Sequence, residues 1–154
     1  MMLVHGTCVE LFGLGVLLRG PSGCGKSDLA LRLIDDGARL VADDQVVLTE
    51  EAGRIQAAAA TRIAGRIEVR GVGIVKVATI KAAPVVLIVD LVAPADVARM
   101  PKPSECRLAE TTLPTIALAP FEASAAAKVR LAVLFEKRNS RTDCATAEKP
   151  TSNL

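Results

Sequence analysis

Tryptophan and tyrosine are absent from this 154-residue chain, and phenylalanine occurs only at positions 12, 121 and 135. So few aromatic rings leave no platform on which the bases of a single strand could stack. A formal net charge of +2 is also too small for the phosphate neutralisation that drives nucleic-acid binding. Nucleic acid is therefore not an expected partner. Histidine occurs once, as His5, and the four cysteines, Cys8, Cys24, Cys106 and Cys144, lack metal-ligand spacing. That excludes a zinc cluster and reads as reduced thiols. Long apolar runs are missing too. Hydrophobic residues make up 51% of the chain, but the apolar stretches break at Glu10, Arg19, Lys76 and Asp90, well short of a membrane span. The start, Met1-Met2-Leu3-Val4-His5-Gly6, has no basic region ahead of an apolar stretch, so no signal peptide is expected and the cytoplasm is the expected compartment. One domain over residues 1–138, followed by a disordered polar tail over 139–154, fits the length and the composition.

What is present is a loop signature. Gly20-Pro21-Ser22-Gly23-Cys24-Gly25-Lys26-Ser27 has glycines five apart, then a lysine and a hydroxyl residue, and it follows the apolar run Leu14-Gly15-Val16-Leu17-Leu18. Glycines let the backbone curl so that its N–H groups converge on phosphate oxygens, and the helix that starts at the lysine adds its positive dipole end. Lys26 is expected to reach the β- and γ-phosphates of a nucleoside triphosphate, and Ser27 to offer its hydroxyl to Mg²⁺. A glycine-rich turn without a ligand is the alternative. It leaves unexplained why strand, loop and amphipathic helix follow in this order.

Residues 9–12 and Leu14–Arg19 read as a hairpin around Gly13, the second strand delivering the loop. A helix is predicted over 27–36, because Leu29, Ala30, Leu33 and Ile34 fall at helical spacing and Gly37 supplies a stop. Strands are expected at Arg39–Ala42 and 45–49, then a turn near Gly53 and an alanine-rich strand or loop to Thr61. Further extended segments are predicted at 66–70, 74–78 and 84–91, the last of them a central buried strand because Val85-Val86-Leu87-Ile88-Val89 is continuously apolar. Residues 93–112, with Pro94, Pro101 and Pro103, read as a loop region. A last strand at 115–119 and a closing helix at 124–137 complete the pattern.

Two stretches compete for the carboxylate that such a site needs. Val86-Leu87-Ile88-Val89-Asp90 ends a buried strand in an acid, and so does Leu40-Val41-Ala42-Asp43-Asp44, where a pair of acids could divide the roles of metal partner and general base. Either could instead be a solvated turn.

Taken together, His5-Gly6, the 20–27 loop, Arg39-Leu40-Val41-Ala42-Asp43-Asp44 and Ile67-Glu68-Val69-Arg70-Gly71-Val72-Gly73-Ile74 resemble the catalytic domain of the bacterial HPr kinase/phosphorylase family. Leu113-Pro114-Thr115-Ile116-Ala117-Leu118 and Leu134-Phe135-Glu136 are similar to its closing strand and helix, so the resemblance covers roughly residues 3–137. It implies an α/β fold, a P-loop kinase domain resembling the phosphoenolpyruvate carboxykinase-like architecture. It also implies transfer of phosphate from ATP, with Mg²⁺, to a serine of HPr, the phosphocarrier protein of the sugar phosphotransferase system. Some members reverse the reaction by phosphorolysis with inorganic phosphate, and they typically form hexamers.

Carried over position by position, the resemblance makes Asp44 the base in the forward reaction and the acid in the reverse one, with Asp43 beside it in a metal-linked or orienting role. Glu68 joins Ser27 around Mg²⁺, Arg70 with Gly71 and Gly73 forms the signature loop, and His5 lies at the rim or is simply structural. The chain departs from the family in three places. Its motifs begin at residue 5, so a short form without the additional amino-terminal domain is expected. Ala98-Arg99-Met100 keeps only the arginine of an Asp-Arg-Leu-like mobile segment, and Arg99 is the expected cation for phosphorolysis. Phe121-Glu122-Ala123-Ser124 stands where long members have glycine-arginine-asparagine. Two other functions stay open: a P-loop kinase of a small metabolite, and an ATP-sensing module that transfers nothing.

Overall fold

The chain is represented by a computed structural model that describes residues 1–60 and 65–148. Eleven strands and two helices follow in the order β1 (Met2–His5), β2 (Thr7–Leu11), β3 (Leu14–Arg19), α1 (Lys26–Asp35), β4 (Arg39–Ala42), β5 (Gln45–Glu51), β6 (Arg54–Ala59), β7 (Arg66–Val69), β8 (Gly73–Lys76), β9 (Ala82–Leu91), β10 (Ser104–Leu108), β11 (Thr111–Leu118) and α2 (Ala125–Glu148). Among the described residues, nine strands form one mixed sheet, and β7 and β8 form a separate two-stranded ribbon.

The 9–12 and 14–19 hairpin forms as its turn chemistry predicts. Phe12 (φ 56°) and Gly13 (φ 83°) both take left-handed backbone, as a two-residue hairpin loop between right-twisted strands requires. The Glu10 carboxylate accepts from the Gly13 N–H at 2.6 Å and locks the turn. After α1 the chain closes with Gly37 N–H donating to Ile34 and Ala38 N–H to Leu33, and Gly37 takes φ 108°. These two bonds satisfy carbonyls that the helix end would otherwise leave open.

β9 is the axis of the sheet. It runs parallel to β3 on one side, while on the other side its first residues pair antiparallel with β6 and its last four pair parallel with β11. Beyond an irregularity in its register with β3 between Val85 and Leu87, side chains alternate: Leu87, Val89 and Leu91 face α1 and α2, and Ile88 faces the layer built by β5, β6, β10 and β11, which Val85 joins because the irregularity shifts the phase. Being apolar on both faces, a strand in this position reads as a continuous hydrophobic run, which is why 84–91 was legible.

Three parts of the chain differ from the sequence expectation. Met2–His5 is a strand, pairing antiparallel with β5, although its four residues carry no clear alternation. The segment 93–112 is not loop throughout: Ser104–Leu108 turns at Ala109 (φ 55°) into Thr111–Leu118. Prolines concealed this hairpin. Pro101 and Pro103 lie ahead of it, and Pro114 sits inside β11, where it forfeits one N–H donor. α2 continues through residues 139–148, beyond the expected end at 137. Thr61 and the final residues 149–154 of the expected tail lie outside the described residues. No helix among the described residues is long and apolar enough to cross a membrane.

Candidate active site

β3 and β4 both pair antiparallel with β2, and β9 and β11 run parallel to β3, so the carboxyl ends of these four strands share one edge of the sheet. Ligands of open α/β sheets gather at that edge. Here it carries the 20–27 loop after β3, Asp43-Asp44 after β4, Asp90 near the end of β9 and the turn at 119–124 after β11.

The loop is tightly tied. Cys24 N–H donates to the Pro21 carbonyl at 3.1 Å, and Gly23 and Gly25 take φ 80° and 106°, backbone that side chains resist. The Lys26 side chain, only 7% exposed, turns back so that its ammonium donates to the carbonyls of Gly20 (2.7 Å) and Pro21 (3.0 Å). It lies 3.9 Å from the Cys24 Sγ. The first N–H groups of α1, which no helix satisfies internally, face the same edge as the loop.

Asp43 and Asp44 diverge. The Asp43 carboxylate accepts from the Ser27 hydroxyl at 3.1 Å and from the Thr7 hydroxyl at 2.8 Å. Thr7 is fully buried, so it fixes the orientation of that carboxylate. Asp44 sits at φ 71° in a three-residue turn closed by Gln45 N–H donating to Asp43 O at 2.8 Å, a conformation seldom taken outside glycine. That turn throws the Asp44 side chain outward, 75% exposed and 3.4 Å from His5 Nδ1.

Asp90, the rival carboxylate, is engaged elsewhere. It accepts two bonds from Arg19, at 2.8 and 3.1 Å, across the β3–β9 register. That ion pair, with Cys106 Sγ accepting from Arg19 at 3.5 Å, holds the guanidinium above its ordinary range and anchors the residue just before the loop. Ser27 therefore meets Asp43 rather than Asp90.

The signature residues belong to the β7–β8 ribbon, whose first strand packs against α1. Glu68 and Arg70 are exposed on it, and neither side chain makes a hydrogen bond or ion pair among the described residues. Gly71 (φ 91°) and Gly73 (φ 118°) shape the turn of the ribbon, which reaches the core through Ile67. Arg99 is exposed beyond the short 3₁₀ turn Pro94–Asp96. No group of three or more histidine, cysteine or acidic residues is gathered as a metal cage among the described residues. The Ser27 hydroxyl beside the Asp43 carboxylate does supply the hard oxygen donors that suit Mg²⁺, which takes one or two protein groups and completes its shell with water and phosphate.

Three side chains were not visible from sequence. Thr7 carried no motif. Arg32 carried no motif either, yet its guanidinium bonds the carbonyls of Pro120 and Glu122. Phe121 lies against the loop, since a Cβ on Gly25 would come within 2.9 Å of its ring.

Fold and site together define a mixed α/β protein with a glycine-rich loop and a helix start at the carboxyl edge of a large sheet. The chain belongs to the family described as the HPr Serine kinase C-terminal domain, whose model matches residues 1–93. It is 46% identical over 74 residues to an HPr kinase/phosphorylase of Clostridium tetani, a stretch covering 48% of this chain and 24% of that protein. With an HPr kinase/phosphorylase of Malacoplasma penetrans it shares 47% over 72 residues, covering 47% and 24%. The chain thus spans about a quarter of the length of the curated relatives it matches. The solved structure of the Hpr(Ser) kinase/phosphatase from Coxiella burnetii superposes with a TM-score of 0.73 at 26% identity, over 96% of this chain and 95% of that one.

Proposed function

We propose that this chain is an ATP- and Mg²⁺-dependent protein-serine kinase acting on the phosphocarrier HPr, with phosphorolysis as its reverse reaction. The observation that carries the reading is the contact between Ser27 and Asp43 at the foot of the loop, with an exposed carboxylate, Asp44, on the adjoining residue. Residues 20–27 then act as a P-loop in a phosphoenolpyruvate carboxykinase-like architecture, and the names of the relatives supply the substrate class.

In this reading Lys26 leaves the Gly20 and Pro21 carbonyls and donates to phosphate oxygens, helped by the free N–H groups of the loop. Ser27 and Asp43 would hold Mg²⁺, which when bound spreads the charge of the β- and γ-phosphates. Thr7 keeps Asp43 aimed at Ser27. Asp44 takes the proton of the acceptor serine as its oxygen bonds to the γ-phosphorus and ADP leaves; His5 beside it steadies the carboxylate. In reverse, inorganic phosphate attacks phosphoserine, Asp44 returns the proton to the serine oxygen, and pyrophosphate leaves. Arg99 is assigned to the incoming phosphate, because two anions approach only with a cation between them. The same reading carries the cytoplasm as compartment and a hexamer as assembly.

The test is transfer of labelled γ-phosphate to purified HPr. Saturable labelling of a serine, abolished by Lys26→Ala, is the expected result. Nucleotide binding without labelling of HPr overturns the protein-kinase reading and leaves an ATP-sensing module or a small-metabolite kinase.

A further inference from the structure

A cleft of about 580 Å³ opens beside the loop. Pro21 and Cys24 of the loop line it, together with Leu91 and Val92 where β9 ends, and Pro120 with Phe121 in the turn after β11. Its size falls in the range of small-molecule sites, and its lining is largely apolar. Phe121 is 71% exposed, one of only three aromatic residues in the chain, and it is held at this rim. Arg32 does the holding: its guanidinium spans from Asp28 in the first turn of α1 to the Pro120 and Glu122 carbonyls, either side of the ring.

Charge decides which part of a ligand enters. Asp96 and Glu122 also line the cleft; Glu122 is paired with Lys128 at 2.8 Å, so Asp96 is the carboxylate that would repel polyphosphate and could accept the amino hydrogens of a base. The loop that binds phosphate shares a wall with the cleft, so a nucleotide with its phosphates on the loop has its uncharged end beside Phe121. We propose that this cleft is the nucleoside subsite, in which a purine base stacks on Phe121 and Arg32 is the positioning residue that keeps the ring in place. The inference rests on the phosphate-binding reading of residues 20–27.

Calorimetric titration of the full chain with Mg-ATP and, separately, with Mg-tripolyphosphate tests it. Phe121→Ala is expected to weaken Mg-ATP about tenfold, the loss typical of one base–aromatic stack, while tripolyphosphate affinity stays put. Phe121→Trp should restore Mg-ATP binding. The ring is largely exposed, so its removal leaves the core intact. Arg32→Gln should likewise weaken Mg-ATP selectively. Unchanged Mg-ATP affinity in Phe121→Ala, or equal loss for both ligands, overturns the subsite while the loop reading survives. Equal loss for both ligands in Arg32→Gln overturns its positioning role. A wild-type chain that binds neither ligand overturns the loop reading and the subsite with it.

Discussion

Asp43 and Asp44 show how far one peptide unit can separate two identical side chains. Asp43 accepts from two hydroxyls on one of its oxygens, and Asp44 stands in solvent at a positive φ. Asparagine tolerates that backbone, so Asp44→Asn should keep the fold and Mg-ATP affinity while lowering phosphotransfer about 10²- to 10⁴-fold, measured as kcat on HPr. Asp90→Asn should leave transfer within a few-fold and lower stability by about 1 kcal/mol, since it weakens a half-exposed pair with Arg19. The opposite ranking would return the base to Asp90. The cysteines give a second contrast. Complete burial pushes the Cys8 thiol up to about 12, so at about pH 8 it should resist iodoacetamide. Cys24, part-exposed and lining the cleft, should label, and Mg-ATP should slow that labelling. Mass spectrometry of the alkylated chain reads both, and labelling of Cys24 at the same rate with and without nucleotide would place its side chain away from the ligand.

Between elements, the Glu10–Arg39 contact ties the first hairpin to β4, and through β4 to the acid pair. The Glu10 carboxylate, buried, accepts from Arg39 at 2.7 Å and from Gly13 N–H, and Arg39 in particular holds it below the usual carboxylate range. A carboxylate lowered in the folded state binds fewer protons there than in the unfolded chain. Its contribution is therefore complete above the ordinary glutamate range and disappears as the pH falls through the folded value. Glu10→Gln should cost about 1–3 kcal/mol near neutral pH, and the gap from wild type should narrow on acidification. Urea midpoints at about pH 7 and about pH 4 check this; a gap that widens in acid would contradict the sign.

For the whole molecule, β9 belongs to both hydrophobic layers, one under the helices and one under β5, β6, β10 and β11. Leu87 and Ile88, adjacent in sequence, are buried on opposite faces. Leu87→Ala and Ile88→Ala should each cost about 2–5 kcal/mol and each lower a single cooperative melting transition. Two separable transitions in calorimetry would show that the layers unfold independently.

The loop, the helix behind it, the hairpin before it, the central strand and the acid pair were all legible in the sequence, because each rests on local chemistry: glycine spacing, helical or continuous apolar patterning, and a two-residue turn around Gly13. The family followed from the same motifs. Local pattern alone left open which carboxylate lies beside the loop, since strand ends carrying Asp43 and Asp90 look alike and only the family resemblance favoured the 43–44 pair; in the structure, pairing sets Arg19 beside Asp90 and Ser27 beside Asp43. Not legible were β1 and the Ser104–Leu108 hairpin, whose short strands owe their form to neighbours rather than to their own pattern. Tertiary structure alone brought Thr7 to Asp43 across 36 residues, and Arg32 to the Pro120 and Glu122 carbonyls across 88 and 90. Contacts between segments so distant depend on the order of strands in the sheet, which no local pattern encodes.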